Sequence, residues 1–303
     1  MVRTDEQLNV PSLKSDRDGG IVRKATRGNI EIATSETGDS NAEAIVLSMG
    51  ATASMEWWPP AFVEALAGAG YRVICYDHRD TGQSSTNPPG TVEYSVDDLC
   101  DDLVSILDEY EIASAHLLGM SLGGLVSQML AVKQPDRVRS LTLLASEPLN
   151  GEEASAVPID QRFLDHFKTL SKLDWSRQQE VVDFMLGTAR LSAGSGHPFD
   201  EKAALERIKR ELERAKNIQS AFNHSMMDGE IHKRWDARNI EVRTLIIHGT
   251  DDPIISLQSA KALARQIPGA ELLVLDGVGH ELPAAELPRI EAAIVRFLTN
   301  MNT

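Results

Sequence analysis

The chain has 303 residues, 42% apolar and 25% charged, ordinary values for a soluble globular protein. Lys plus Arg number 30 and Asp plus Glu 45, a formal charge of −15, which argues against general binding to nucleic acid or to an anionic membrane. Collagen-like, disordered, disulfide-framework and membrane classes are excluded: a chain of this length buries roughly 75% of its unfolded surface without disulfides or metal, and it has no run of about 18 apolar residues.

From the amino terminus, Met1 to Gly20 is polar and mixed in charge and lacks the apolar core of a secretory signal; a loose tail is expected there. Short β-branched runs then alternate with helical patterns. Ile30–Thr34, Ala44–Met49, Tyr71–Asp77, Ala115–Met120, Ser140–Ala145, Val242–His248 and Glu271–Asp276 read as strands. The later runs are continuously apolar, as parallel strands covered on both faces are. A helix is expected from Ser95, with Asp98 completing a capping box and Val96, Leu99, Leu103, Ile106 and Tyr110 on one face. Others are expected over Leu122–Val132, closed by Pro135, over Ser256–Ile267 and over Ala284–Leu298. This alternation predicts an α/β fold with a mainly parallel sheet flanked by helices.

One interval breaks the alternation. From Glu147 to Asn239 no strand is expected. A loop around Gly194-Ser195-Gly196 precedes a long helical pattern in which Leu205, Ile208, Leu212, Ala215 and Ile218 recur at steps of three and four, with Phe222 and Met226 beyond. Such a seam covers its own protein as a helical cap over the sheet edge, or less simply serves as a coiled-coil surface. The predicted organisation is therefore a tail at 1–20, an α/β core at 21–146 and 240–303, and an inserted helical cap at 147–239. The two cysteines, Cys75 and Cys100, lie in apolar patterns and are expected as buried free thiols, in keeping with a cytoplasmic protein.

Chemistry in open α/β sheets sits at the carboxyl ends of strands, so the polar residues after each strand carry the functional reading. After Ala115–Met120 comes Gly119-Met120-Ser121-Leu122-Gly123-Gly124, a G-x-S-x-G between strand and helix. A serine on so sharp a turn projects its hydroxyl clear of the backbone, and the following helix amides face any oxyanion formed there. A chance match in a chain of this length has a probability of roughly 0.1 at average Gly and Ser usage, so the motif alone is weak. Two coincidences strengthen it. Val242–His248 is followed by Asp251 and Asp252, and Glu271–Asp276 is followed by His280. Serine, acid, histidine is the chain order of the Ser-Asp-His triad on this type of sheet. An imidazole must take the serine proton, and an acid must fix its tautomer. A capping serine and an ordinary loop histidine are the plain alternatives; His248, ahead of the acid, suits a core or supporting position better. The second oxyanion donor is expected from the loop after Ala44–Met49, which nominates the backbone N–H groups of Ala51 and Leu122. Trp57, Trp58, Phe222, His224 and Met226 are candidate pocket residues. Asp77 and Arg79 are expected as an ion pair holding their loop, and Asp97, Asp98, Asp101 and Asp102 as a solvated helix face. No P-loop, no G-x-G-x-x-G after a strand and no His/Cys metal spacing occurs, so no metal or other cofactor is implied.

With these residues in hand, the chain from about Ile21 onward resembles the α/β-hydrolase superfamily of serine hydrolases and, within it, the aclacinomycin methylesterase-like esterases of polyketide metabolism. The matching stretches are Met49-Gly50, Trp57 or Trp58 with Pro59, Val73 to Ser84, His116 to Gly124, Pro198-Phe199-Asp200, Asp252-Pro253 and Gly279-His280. The resemblance implies an eight-stranded, mostly parallel sheet whose first strand is antiparallel, a helical cap, and a cofactor-free Ser121-His280-Asp252 mechanism. It favours Asp252, which precedes Pro253, over Asp251. Ala51 departs from it, standing where a glycine is expected.

The expected activity is hydrolysis of a small-molecule carboxylic ester through an acyl-enzyme, with a methyl ester of a polyketide-like or other small hydrophobic compound as a candidate substrate. The same residues suit a lactonase, a carbon–carbon hydrolase or a Ser-based acyltransferase. A ligand receptor retaining the fold is the alternative from another class.

Overall fold

The computed structural model describes residues 21–149, 158–227 and 235–300; the tail expected at 1–20 lies outside them. Eight strands form one sheet: β1 (Ile21–Arg27), β2 (Ile30–Thr37), β3 (Ala44–Ser48), β4 (Arg72–Tyr76), β5 (Ala115–Met120), β6 (Val138–Leu144), β7 (Thr244–Gly249) and β8 (Glu271–Leu275). Their order is β1-β2-β4-β3-β5-β6-β7-β8. Every pairing from β4 to β8 is parallel, and β2 runs antiparallel to both β1 and β4. The expected sheet is thus present, with one correction: the strand that runs against the others is the second. An additional strand, β1, precedes it. That strand carries Arg23, Lys24 and Arg27, the charges of a protected sheet edge, which hid it from a search for apolar runs. A two-residue turn with Gly28 at φ +61° joins it to β2.

The central strands are buried along their whole length, and alternate residues feed two cores. On one face Val46, Ile74, Leu117, Leu141 and Ile246 pack against α2 (Val96–Glu109), α3 (Leu122–Lys133) and α7 (Leu257–Gln266). On the other, Ile45, Val73, Leu118, Leu245 and Ile247 pack against α1 (Pro60–Gly68) and α8 (Leu287–Thr299). Helix α2 has the anticipated capping box of Ser95 and Asp98. Leu99, Leu103 and Ile106 on its apolar stripe are wholly buried, worth roughly 1.5–3 kcal/mol each. Its acidic face is not merely solvated: Arg27 pairs with Asp98, Asp101 and Asp102, Lys133 with Asp97 and Asp101, and Arg79 with Asp102. Both cysteines are buried free thiols, each pushed up to about 12 chiefly by burial.

Between β6 and β7 the described residues form helices and no strand: α4 (Gln161–Lys168), α5 (Gln178–Ser192) and α6 (Glu201–Arg214), then a 3-10 stretch at Ile218–Met226. The single long helix expected through Met226 is therefore broken. The chain turns extended at Ala215, and Asn217 caps the 3-10 stretch through the Gln219 amide. These elements share a small core of Val181, Phe184, Met185 and Ile208, joined by Leu212, Ile218 and Phe222.

The loop after β4 anchors them to the sheet. Asp77 does not pair with Arg79; its Oδ2 lies 2.7 Å from Arg214 Nη1 on α6. Asn223 donates to Asp80 Oδ2 at 2.9 Å, Lys216 donates its backbone N–H to the Gly82 carbonyl at 2.9 Å, and Gln83 donates to the Arg214 carbonyl. Ser54 donates to Glu211 Oε2 at 2.5 Å.

Candidate active site

All the expected site residues of the core follow the carboxyl ends of parallel strands: Gly50 and Ala51 after β3, Ser121 after β5, Asp252 after β7 and His280 after β8. Ser121 sits at φ +51°, ψ −118°, a conformation a non-glycine residue holds only when its surroundings impose it, at roughly 1–3 kcal/mol. They do impose it here. The Ser121 N–H donates to the Leu144 carbonyl at 3.0 Å, and its carbonyl accepts from the N–H groups of Gly124 and Leu125 and from the Ser146 hydroxyl. The motif glycines are steric requirements. A Cβ on Gly119 would lie 2.3 Å from the Gly123 carbonyl oxygen, and one on Gly123 would lie 2.0 Å from that of Ser48. The loop after β3 presses on the same turn, since a Cβ on Gly50 would lie 3.3 Å from Ser121 Cβ. Ala51 is exposed on that loop and Leu122 is the first residue of α3, whose leading amides have no acceptor within the helix.

His280 Nδ1 lies 2.8 Å from Asp252 Oδ2. The other oxygen of Asp252 accepts from the backbone N–H groups of Ile254 and Ile255 at 2.9 and 2.8 Å. Burial pushes the Asp252 carboxyl up, but the charge and hydrogen bond of His280, with His248 and the Ile255 amide, hold it below the ordinary carboxylate range. His248 is buried against Asp252 Oδ2 at 3.5 Å, with Nε2 2.8 Å from the Ile255 carbonyl; burial lowers its pKa. Asp251 faces the other way. Its Oδ2 accepts from the Ser195 N–H and hydroxyl at 3.1 and 2.5 Å. The Gly194–Gly196 loop braces the histidine loop further: His280 N–H donates to the Ser192 carbonyl and Gly196 N–H to that of Gly277, both at 2.8 Å.

Ser121 and His280 line one cavity of about 280 Å³. Ala51, Trp57 and Phe222 also line it. Three expected pocket residues do not. Trp58 is buried beneath, stacked on Phe62 at 5.8 Å between centroids. His224 is turned inward, with Nδ1 accepting the Thr52 N–H and Nε2 bonded to the Arg79 carbonyl. Met226, 57% exposed, points to solvent. In their place α4 and α5 supply Phe163, Phe167 and Met185, and the approach to α6 supplies Phe199. Arg207 and Glu281 were also missed. For Glu281 the signal was adjacency to His280; Arg207 stood unmarked among the charges of α6. Among the described residues no cluster of three or more His, Cys, Asp or Glu side chains could hold a metal ion, and no helix is long and apolar enough to cross a membrane.

The sequence similarities agree with this geometry. A family profile described as alpha/beta hydrolase fold matches residues 43–284. Rhodomycin D methylesterase DauP of Streptomyces sp. (strain C5) is 31% identical over 290 residues, spanning 90% of this chain and 96% of that protein. Rhodomycin D methylesterase DnrP of Streptomyces peucetius matches to the same extent. Among solved structures, esterase RhEst1 from Rhodococcus sp. ECU1013 superposes with a TM-score of 0.74 at 21% identity, covering 92% of this chain and 99% of that one; this supports the fold alone. By its sheet, its strained serine turn and the extent of these matches, the chain belongs to the α/β hydrolase fold family.

Proposed function

We propose that the protein is a serine hydrolase of carboxylic esters, with Ser121 as nucleophile, His280 as general base and acid, and Asp252 as the group that orients His280. The observation that carries this reading is the 2.8 Å contact between His280 Nδ1 and Asp252 Oδ2 at a cavity whose wall also holds the strained Ser121. An Nδ1–H held by a carboxylate leaves Nε2 unprotonated, ready to take the serine proton. Ser121 Oγ then attacks the ester carbonyl. The Ala51 and Leu122 amides take up the oxyanion charge, a contribution of about 2.7–4 kcal/mol per donor in related chemistry. His280 returns the proton to the leaving alcohol. Water, deprotonated by His280, attacks the acyl-enzyme and releases the acid.

The helices between β6 and β7 act as a cap in this reading, since Phe163, Phe167, Met185 and Phe222 contribute cavity wall. The apolar wall and the likeness to two proteins named rhodomycin D methylesterases support a methyl ester of a bulky hydrophobic, polyketide-like compound as substrate. Two buried free thiols suit a cytoplasmic location. Turnover of methyl and p-nitrophenyl esters, with stoichiometric fluorophosphonate labelling of Ser121, tests the proposal. Ser121→Ala is expected to stay folded and lose roughly 10⁴–10⁶ in kcat. A folded variant retaining a tenth of the rate would overturn it.

A further inference from the structure

Three arginines of α6 share the side of the helix that meets the core, and two of them are paired. Arg210 and Arg214 meet Glu56, and Arg214 also meets Asp77. Arg207, one turn earlier, lines the cavity with Ser121 and His280 and, among the described residues, makes neither ion pair nor hydrogen bond. Its guanidinium carbon lies over the Trp57 ring, 4.3 Å from the centroid, and its Nε is buried without a hydrogen-bond partner. The one carboxylate that shares the cavity, Glu281, accepts instead from the Gly194 N–H at 2.9 Å. Burial makes the Arg207 cation harder to hold, with Glu281 offsetting part of that. The surrounding wall is mostly apolar, with Trp57, Phe163, Phe167, Met185 and Phe222 among its residues.

A cation kept in a largely apolar cavity is costly unless something pairs with it. The cation–π contact with Trp57 recovers part of that cost and uses no N–H. It leaves the fork free to take two oxygens, the geometry in which arginine binds carboxylates best. We infer that the substrate carries, besides its ester, an anionic oxygen group, a carboxylate or an ionised phenol, which Arg207 binds while the aromatic wall holds the apolar body between. The inference rests on the reading of Ser121 and His280 as the ester-cleaving pair.

The test compares matched substrates. Monomethyl terephthalate and the monomethyl esters of straight-chain diacids from adipate to sebacate are set against the methyl esters of the corresponding mono-acids. Methyl 4-hydroxy-3-nitrobenzoate, ionised at neutral pH, is set against methyl 3-nitrobenzoate. At one spacing or more, the charged member is expected to show at least about tenfold higher kcat/KM. Arg207→Met should erase that preference through KM while leaving the neutral esters within about threefold. Arg207→Lys should keep part of it, since the charge stays and the fork is lost. Calorimetric binding of the same ligands to Ser121→Ala protein reads the anion site without turnover and should show the same preference, lost on adding Arg207→Met. Equal rates and equal binding for charged and neutral members at every spacing would overturn the inference. So would an Arg207→Met variant that loses both classes alike, the mark of a residue that only packs on Trp57. Preferential anion binding with no ester turned over would sink the hydrolase reading and leave the anion site standing. Turnover without preference does the reverse.

Discussion

The Nδ1 atom of His224 accepts the backbone N–H of Thr52 at 3.0 Å, the next amide after that of Ala51. Its Nε2 lies 2.8 Å from the Arg79 carbonyl, so the ring is the neutral tautomer with its proton on Nε2. Burial lowers its pKa and keeps it so. Thr52 stands at φ +65°, with its N–H held by the imidazole. On the other side of the loop, His78 Nε2 donates to the Met49 carbonyl at 3.0 Å; burial, with His224 beside it, lowers the His78 pKa to about 3. Two neutral histidines thus hold both ends of the segment that presents the Ala51 amide.

His224→Ala should let that segment relax. The expected result is a fall in kcat of about 10–100-fold with KM changed little, smaller than the full loss of an oxyanion donor. Steady-state kinetics and the rate of fluorophosphonate labelling should fall together. A variant with lower Tm and unchanged kcat would show that the loop holds its shape without the imidazole.

Asp252→Asn should cost about 10⁴ in kcat by favouring the wrong tautomer of His280. Asp251→Asn, which loses only a charge on the Ser195 loop, should cost less than about tenfold. Parallel kinetics of the two folded variants decide the assignment, and similar losses in both would refute it.

Glu211 is wholly buried between Ser54 and the Asp77–Arg214 pair. Burial first, with Asp77 and Glu56 nearby, pushes its carboxyl up to about 7 against the opposing effects of Ser54 and Arg214. The unfolded chain ionises at the ordinary carboxylate value, so between that value and about 7 the folded state binds more protons. Its contribution to stability therefore declines as pH rises through that window. Glu211→Gln carries no such proton. Its Tm relative to wild type should climb between pH 5 and pH 8, by roughly a few degrees; a flat or falling difference would contradict the sign.

Phe222 lines the cavity, whereas Met226 faces solvent. Phe222→Ala should change discrimination among bulky esters by roughly 1–3 kcal/mol while small acetyl esters keep their rate within about tenfold. Met226→Ala should leave the whole profile unchanged. An equal shift in both variants would mean that the 3-10 stretch affects substrate choice through its backbone.

The residues following the strands could be read from sequence because a continuously apolar parallel strand marks its own end, and what comes next is placed by the sheet. Ser121, Asp252 and His280 are nominated that way; that His280 meets Asp252 and shares a cavity with Ser121 depends on strand order that no local pattern encodes. What failed had physical reasons. Strand β1 carries edge charges in place of an apolar run. The seam from Leu205 to Met226 keeps helical spacing across Ala215–Asn217, where an extended residue and an Asn cap interrupt the helix, so Met226 came out on the wrong side. Asp77 and Arg79 are neighbours in sequence, but their partners, Arg214 and Asp102, lie on distant elements. The orphan state of Arg207 exists only once α6 is laid over Trp57.

The docking of α6 and the following 3-10 stretch on the loop after β4 limits which chimeras can fold. A foreign insert grafted between β6 and β7 would arrive without Arg214, leaving the Asp77 carboxylate with the Met55 and Gln83 amides but no cation, a defect worth up to about 3–5 kcal/mol. Without His224 it would also release the amide of Thr52. Exchange of inserts is therefore expected to succeed best among chains that present an arginine and a histidine at these two points.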